Sequence, residues 1–148
     1  MFDWKKPTAQ MLGRFQPWHA GHRELFKKAH NETGQVVIMI RDVSGIIGTD
    51  AGAGRTKAQM DNPFDFYDLQ KKIAADLFAY GNFVEDEDYI IMQVPNIVDI
   101  SYGRGVGYTF TQHELPATIE RVNATEIRAQ MRESGELEAV AELGGERD

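Results

Sequence analysis

The apolar residues of the first forty positions follow two different spacings. Residues 8–12 form a short apolar run that ends at Gly13, which predicts a buried strand. Positions at helical spacing then share one face, namely His22, Leu25, Phe26 and Ala29. Gly34 is placed to end that helix, and Val36–Ile40 is a continuous apolar run typical of a strand covered on both faces. The pattern predicts a βαβ unit whose right-handed crossover leads into a parallel sheet.

The middle of the chain passes from a glycine-rich stretch to a second helical pattern. Residues 42–62 show no periodicity, and we expect a long loop with a functional role. Asn62 as N-cap, Pro63 at the first helical position and Asp65 in the first turn predict the start of a helix. The predicted buried stripe of this helix consists of Phe66, Leu69, Ile73 and Leu77.

The last third of the chain completes the alternation of strands and helices. Tyr89–Pro95 is an apolar strand, and we expect a short strand over 96–100, a glycine-rich turn over 103–107 and a strand over 117–122. Asn123 as N-cap, with Glu126 three residues later, predicts a final helix. The fold class is an α/β sandwich with a mainly parallel sheet. We expect one domain over residues 1–135 and an acidic tail over 136–148.

Composition and charge restrict the classes of protein that fit this pattern. The chain of 148 residues has a formal charge of -7 and no cysteine, which excludes a disulfide framework and thiolate metal sites. Acidic residues concentrate at Glu85–Asp88 and in the tail, and the scattered basic residues lack the stripe of a nucleic-acid binder. Neither a membrane-spanning run nor a signal peptide is evident. We therefore expect a cytoplasmic protein that binds neither nucleic acid nor membrane.

Two histidines stand three positions apart at the predicted junction of strand and helix, in the stretch GRFQPWHAGH (13–22). Helix N-termini bind anions because their first N–H groups lack intrahelical partners and the helix dipole is positive there. We expect His19 and His22 to add donors for phosphate oxygens, with either ring protonated near neutral pH. Arg14 adds a permanent charge. A metal pair is the rival interpretation, but it needs a third ligand that the neighbouring sequence does not supply.

The stretch resembles the G-x-F-x-x-x-H-x-G-H signature of the HxGH nucleotidyltransferases, and NATEIR (123–128) resembles their second signature, I-S-S-T-x-I-R. The resemblance implies a Rossmann-like three-layer sandwich. It also implies attack by a substrate phosphate on the α-phosphate of a nucleoside triphosphate, with release of pyrophosphate and with Mg²⁺ as cofactor. The implied catalytic residues are His19, His22, Thr125 and Arg128. The implied nucleotide contacts come from Gly13, Arg14, Phe15, Gly21 and Asn123. Asn123 and Ala124 stand where the family usually has serines, so two hydroxyl groups are missing.

Two shorter stretches bear on the substrate. GRFQP (13–17) together with NPF (62–64) resembles the archaeal-type nicotinamide mononucleotide adenylyltransferases, although the Glu-Arg pair that usually follows NPF there is absent. This favours transfer of AMP to a phosphorylated small molecule such as nicotinamide mononucleotide. A cytidylyltransferase that forms a CDP-alcohol such as CDP-glycerol stays open as an alternative, as does a catalytically inactive nucleotide-binding module. A homo-oligomer also stays open.

Four further cations and one aromatic residue are candidates for the same site. Arg41 follows the second predicted strand, and Arg104 stands between two glycines, where it can approach a ligand. Arg55 and Lys57 lie in the 42–62 loop, and we expect them to close over the triphosphate as a lid. Trp18 suits stacking on a substrate ring and packing in the core equally well.

Overall fold

The structure is a computed structural model that describes residues 1–43, 62–104 and 107–115. Within these residues the elements are β1 (Ala9–Gly13), α1 (Ala20–Thr33), β2 (Val36–Arg41), α2 (Phe66–Ala79) and β3 (Tyr89–Val94). The strands form a parallel sheet in the order β1-β2-β3, so β2 is hydrogen-bonded on both sides. This arrangement confirms the predicted α/β class and is consistent with a Rossmann-like fold.

The central strand β2 organises the core. Its alternate residues Val36, Ile38 and Ile40 are buried, whereas Val37 and Met39 on the opposite face are half-buried. The register of the sheet places Ile38 of β2 beside Met11 of β1 on one side and beside Ile91 of β3 on the other. One face of the sheet therefore carries most of the core in the described part of the chain.

Helices α1 and α2 cover the same face of the sheet. Two successive right-handed crossovers that move in one direction across a sheet place both helices on one side. Accordingly, one cluster joins the buried face of β2 to residues of both helices, which are Phe26, Ala29, Leu69, Ile73 and Leu77. Full burial of an aliphatic or aromatic side chain of this size contributes roughly 1.5–3 kcal/mol, so this cluster holds the two helices against the sheet.

Helix α1 ends where the sequence predicts. Gly34 adopts φ 89°, a left-handed conformation that costs glycine little, and its N–H donates to the carbonyl of His30 at 2.7 Å. The chain can then turn at once into β2, whose first residue is Val36.

Helix α2 begins later than the sequence predicts. Asp65 is its N-cap, and the Asp65 side chain accepts a hydrogen bond from the backbone N–H of Asp68 at 2.9 Å. The assignment of Asn62 as N-cap is wrong, because the amide of Gln16 binds both backbone groups of Phe64 and holds this segment outside the helix. Asn62 is instead buried and accepts from Arg14.

Beyond β3, the expected strand over 96–100 is not formed. The N–H of Ile97 donates to the carbonyl of Pro95 at 2.7 Å, and this tight turn ends the extended chain. The 44–61 part of the predicted loop, the strand over 117–122, the helix from Asn123 and the acidic tail lie outside the described residues. The domain boundary at residue 135 stays a prediction. Among the described helices, none has the length and apolar character needed to cross a bilayer.

Replacement of the α2 N-cap tests this helix start. We expect Asp65→Ala to lower the free energy of unfolding by about 0.5–2 kcal/mol, because the N–H of Asp68 loses its acceptor. Lys71→Ala, an exposed position within the same helix, is the control and is expected to change stability by less than about 0.5 kcal/mol. Urea titration measures both. Equal stability of the two variants would contradict an N-cap at Asp65.

Candidate functional site

The site lies where β1 passes into α1, at the carboxyl edge of the parallel sheet. Gly13 is the last residue of β1, and a Cβ atom there would lie 3.0 Å from the ring of Phe15. Phe15 has φ 52°, an uncommon conformation for a bulky residue, and its ring is buried. The absence of a side chain at Gly13 therefore leaves room for the Phe15 ring, on which the next residues pack.

The two histidines cap helix α1 reciprocally. His19 is the N-cap, and its Nδ1 accepts a hydrogen bond from the N–H of Gly21 at 3.0 Å. The Nδ1 of His22 accepts from the backbone N–H of His19 at 3.1 Å. This is the arrangement of a capping box, in which Ser or Thr and Glu or Gln usually provide the two side chains.

The capping box fixes the tautomer of both rings. A neutral imidazole has one donor and one acceptor nitrogen, so a ring that accepts at Nδ1 carries its proton at Nε2. The rings of His19 and His22 stack with their centroids 3.8 Å apart and an interplanar angle of 22°. Neither Nε2 has a hydrogen-bond partner among the residues that the structure describes. The helix start thus carries two N–H groups that remain able to donate to a ligand.

Burial keeps this pair neutral. It lowers the pKa of His19, and together with the nearby His19 it lowers the pKa of His22 to about 3. Two rings stacked at this distance cannot both be charged without strong repulsion. The expectation that either ring is protonated near neutral pH is therefore not met, and each neutral ring keeps its N–H at Nε2.

The comparisons with known proteins bear on this same region. Residues 11–44 match the cytidylyltransferase-like family. The matched stretch runs from β1 to just beyond the end of β2 and contains the histidine pair, and it covers less than a quarter of the 148 residues. The match supports the nucleotidyltransferase superfamily that the two signatures indicate. None of the curated proteins compared with the chain matches it.

The first half of the cytidylyltransferase-like stretch is bound to the segment before α2. The Nη1 of Arg14 donates to the Oδ1 of Asn62 at 3.0 Å. The side-chain amide of Gln16 donates to the carbonyl of Phe64 and accepts from its N–H, both at 2.9 Å. No local signal in the sequence pointed to Gln16, because its partner Phe64 lies 48 positions further along the chain.

Trp18 packs in the core. Its side chain is only 2% exposed, and its ring contacts the rings of Phe15 and His22, with centroids 5.3 Å and 5.4 Å away. Its Nε1–H donates to the Oδ2 of Asp76 in the last turn of α2 at 2.9 Å. Of the two interpretations of Trp18, packing is confirmed.

The remaining candidate residues are placed as follows. Gly21 is buried in the first turn of α1, and the half-buried Arg41 donates from Nη1 to the carbonyl of Ile97 at 3.3 Å. Arg104 is exposed in a segment without regular structure. The candidates that lie outside the described residues are Arg55, Lys57, Asn123, Thr125 and Arg128.

A small recess, with room for little more than one water molecule, lies at the carboxyl ends of β2 and β3. Its polar lining comes from Gln16, Arg41, Asp42 and Gln93, and its apolar lining from Ile40, Phe64, Phe66 and Leu69. Ligands of parallel α/β sheets bind outside the carboxyl ends of the strands, which is the edge of the sheet where this recess lies. Among the described residues, no group of three His, Asp or Glu side chains is close enough to hold a metal ion.

The lowered pKa of His22 predicts a pH-dependent stability. An unfolded chain binds a proton at His22 below its ordinary pKa of 6.5, whereas the folded chain stays neutral down to about 3. The stability is therefore fully present above pH 6.5 and falls as the pH falls towards 3, by up to about 1.4 kcal/mol per pH unit. His22→Gln keeps an acceptor for the N–H of His19 but does not titrate. We expect urea titrations from about pH 7 to about pH 5 to show the wild type losing more stability than this variant; parallel losses would contradict a neutral buried His22.

Proposed function

We propose that the chain is a nucleotidyltransferase that transfers AMP from ATP to a phosphorylated small-molecule acceptor such as nicotinamide mononucleotide and releases pyrophosphate. The observation that carries this proposal is the pair of Nε2–H donors on stacked neutral histidines at the start of α1. Ser and Gln satisfy the same backbone groups in an ordinary capping box. Imidazoles add an N–H on the far side of the ring, and a phosphate oxygen is a suitable acceptor for it.

The chemistry needs positioned donors more than covalent help. An oxygen of the acceptor phosphate attacks the α-phosphorus, and the bond from this phosphorus to the oxygen of the β-phosphate breaks, so that pyrophosphate leaves. Negative charge grows on the α-phosphate oxygens during this step. The donors of His19 and His22, fixed beforehand by the capping box, stabilise that charge without reorganising. The positive end of the α1 dipole acts in the same direction.

The second signature completes the proposed site. By resemblance, Thr125 provides a hydroxyl and Arg128 a guanidinium to the triphosphate, and Asn123 contacts the nucleotide. Gly13, Arg14, Phe15 and Gly21 are proposed to shape the first half of the nucleotide site, with Arg104, Arg55 and Lys57 as further cations.

Mg²⁺ is proposed as the cofactor. The described residues provide no carboxylate and imidazole cluster that would hold it alone. A Mg²⁺ ion that arrives with the triphosphate is held mainly by phosphate oxygens and water, and it would neutralise phosphate charge.

One structural observation supports AMP as the transferred group. The two stretches that resemble the adenylyl-transferring group, GRFQP and NPF, bind each other through Arg14 with Asn62 and Gln16 with Phe64. The two stretches that carry the resemblance are therefore held together in the fold. Cytidylyl transfer to form a CDP-alcohol is the second candidate, favoured by the match of residues 11–44 to the cytidylyltransferase-like family.

A substrate panel tests the reaction. We expect pyrophosphate release with ATP and nicotinamide mononucleotide in the presence of Mg²⁺, and weaker release with CTP, GTP or UTP. Glycerol 3-phosphate and other phosphorylated acceptors are included with each nucleotide. A preference for CTP would replace AMP transfer by the second candidate. Nucleotide binding without turnover on the whole panel would indicate an inactive binding module.

Substitutions that preserve the capping box separate chemistry from folding. We expect His19→Ser and His22→Gln to keep helix α1, because these residues form the common capping box. Each should lower turnover by roughly 10²–10³, the usual effect of losing one preorganised donor to a growing charge. Nucleotide affinity, measured by calorimetry, should fall much less. Unchanged turnover in a folded His22→Gln variant would contradict the proposed role of this ring.

A further inference from the structure

One carboxylate binds both residues that flank the histidine pair. Trp18 directly precedes His19, and its Nε1–H donates to the Oδ2 of Asp76 at 2.9 Å. Arg23 directly follows His22, and its Nη1 donates to the Oδ1 of Asp76 at 2.7 Å. The two oxygens of Asp76 thus hold the HAGH segment at its two ends.

Both contacts are sheltered and well defined. The side chains of Arg23 and Asp76 are each 18% exposed, and Trp18 is buried. The guanidinium of Arg23 also lies over the ring of Tyr80, 4.1 Å from its centroid, just beyond the end of α2. Arg23 is therefore held on two sides, which distinguishes it from a mobile surface cation.

The Trp18 ring links Asp76 to the histidines, because it donates to Asp76 and also contacts the His22 ring. The Trp18 ring lies 5.4 Å from the His22 ring, and the Phe15 ring meets His22 edge-on at 4.9 Å. A rotation of Trp18 would remove one wall of the space in which His22 stacks on His19. Asp76 itself lies in the last turn of α2, where the helix dipole disfavours a carboxylate. The hydrogen bonds from Trp18 and Arg23, which lie outside α2, stabilise the carboxylate of Asp76 at this position.

We propose that Asp76 is a positioning residue of the nucleotidyl-transfer site, which holds Trp18 and Arg23 so that the two imidazoles keep their stacked, Nε2-protonated arrangement. The proposal rests on the function proposed above for the histidine pair. Asp76 does not touch the substrate, and it acts through Trp18 and the backbone of α1.

Asp76→Asn is the primary test. An amide accepts from Arg23 with its oxygen but presents its own N–H to the Nε1–H of Trp18, so that this hydrogen bond is lost. We expect kcat to fall by up to about 100-fold, as for a small displacement of catalytic groups, with KM for the nucleotide changed much less. Asp68→Asn removes the same charge from an exposed position of α2 and is the matched control. Ile73→Val, on the buried face of α2, controls for lowered stability.

Trp18→Phe removes the Nε1–H together with the five-membered ring of the indole, and it keeps a six-membered aromatic ring at this buried position. We expect it to lower kcat in the same direction, and we expect the double variant with Asp76→Asn to be no slower than Asp76→Asn alone. Such a result shows that the two substitutions disrupt one interaction. Additive losses would overturn the proposed route through Trp18.

Nitrogen-15 spectra of the imidazoles give a readout that does not need turnover. In the wild type, His19 and His22 should show a protonated Nε2 and an unprotonated Nδ1 at neutral pH. Asp76→Asn and Trp18→Phe should mix the tautomers of His22, while Asp68→Asn should not. If the wild type releases no pyrophosphate but these spectra change as expected, the proposed function fails and the positioning stands. If Asp76→Asn leaves the His22 signals unchanged, the positioning proposal is overturned whatever the activity.

Discussion

Two hydrogen bonds to imidazole Nδ1 atoms determine most of what the site can do. They begin helix α1, they fix where the protons of His19 and His22 lie, and they hold the rings in a stack. Each consequence follows from the one before, since a ring that accepts at Nδ1 must donate at Nε2. Folding of the first helical turn and preparation of the two donors are therefore the same event.

The residues around the pair come from parts of the chain that are far apart in sequence. Gln16 and Arg14 hold the segment before α2, and Asp76 at the other end of that helix holds Trp18 and Arg23. The short stretch between β1 and α1 is consequently attached to both ends of α2. Because α2 is itself anchored in the core by its buried face, the position of the histidines depends on the packing of the whole helical layer.

The sequence predicted the elements that depend on local signals. Gly34 ends α1 because glycine adopts the left-handed conformation at a lower energetic cost than other residues. The continuous apolar run of β2 is typical of a strand in the centre of a sheet, which is where β2 lies. The start of α2 was missed because Asn62 and Pro63 carry good local capping signals, which the amide of Gln16 overrides from a distance. The histidine pair was found by its spacing. The neutral state of the two rings was not predicted, because the burial and stacking that lower the pKa of His22 exist only in the folded chain. The sequence marked Asp76 only as an acidic residue near the end of a predicted helix, and this does not indicate partners outside that helix.

The reciprocal capping of α1 also bears on how the chain can change over generations. Active-site groups often oppose folding, so that their loss makes a protein more stable and less active. Here the two imidazoles act in favour of folding, since most replacements at either position would leave a backbone N–H at the helix start without its acceptor. Drift at these two positions is thus opposed by selection on the folded state as well as on the proposed activity. Only a residue that restores the lost cap can replace either histidine without a loss of stability.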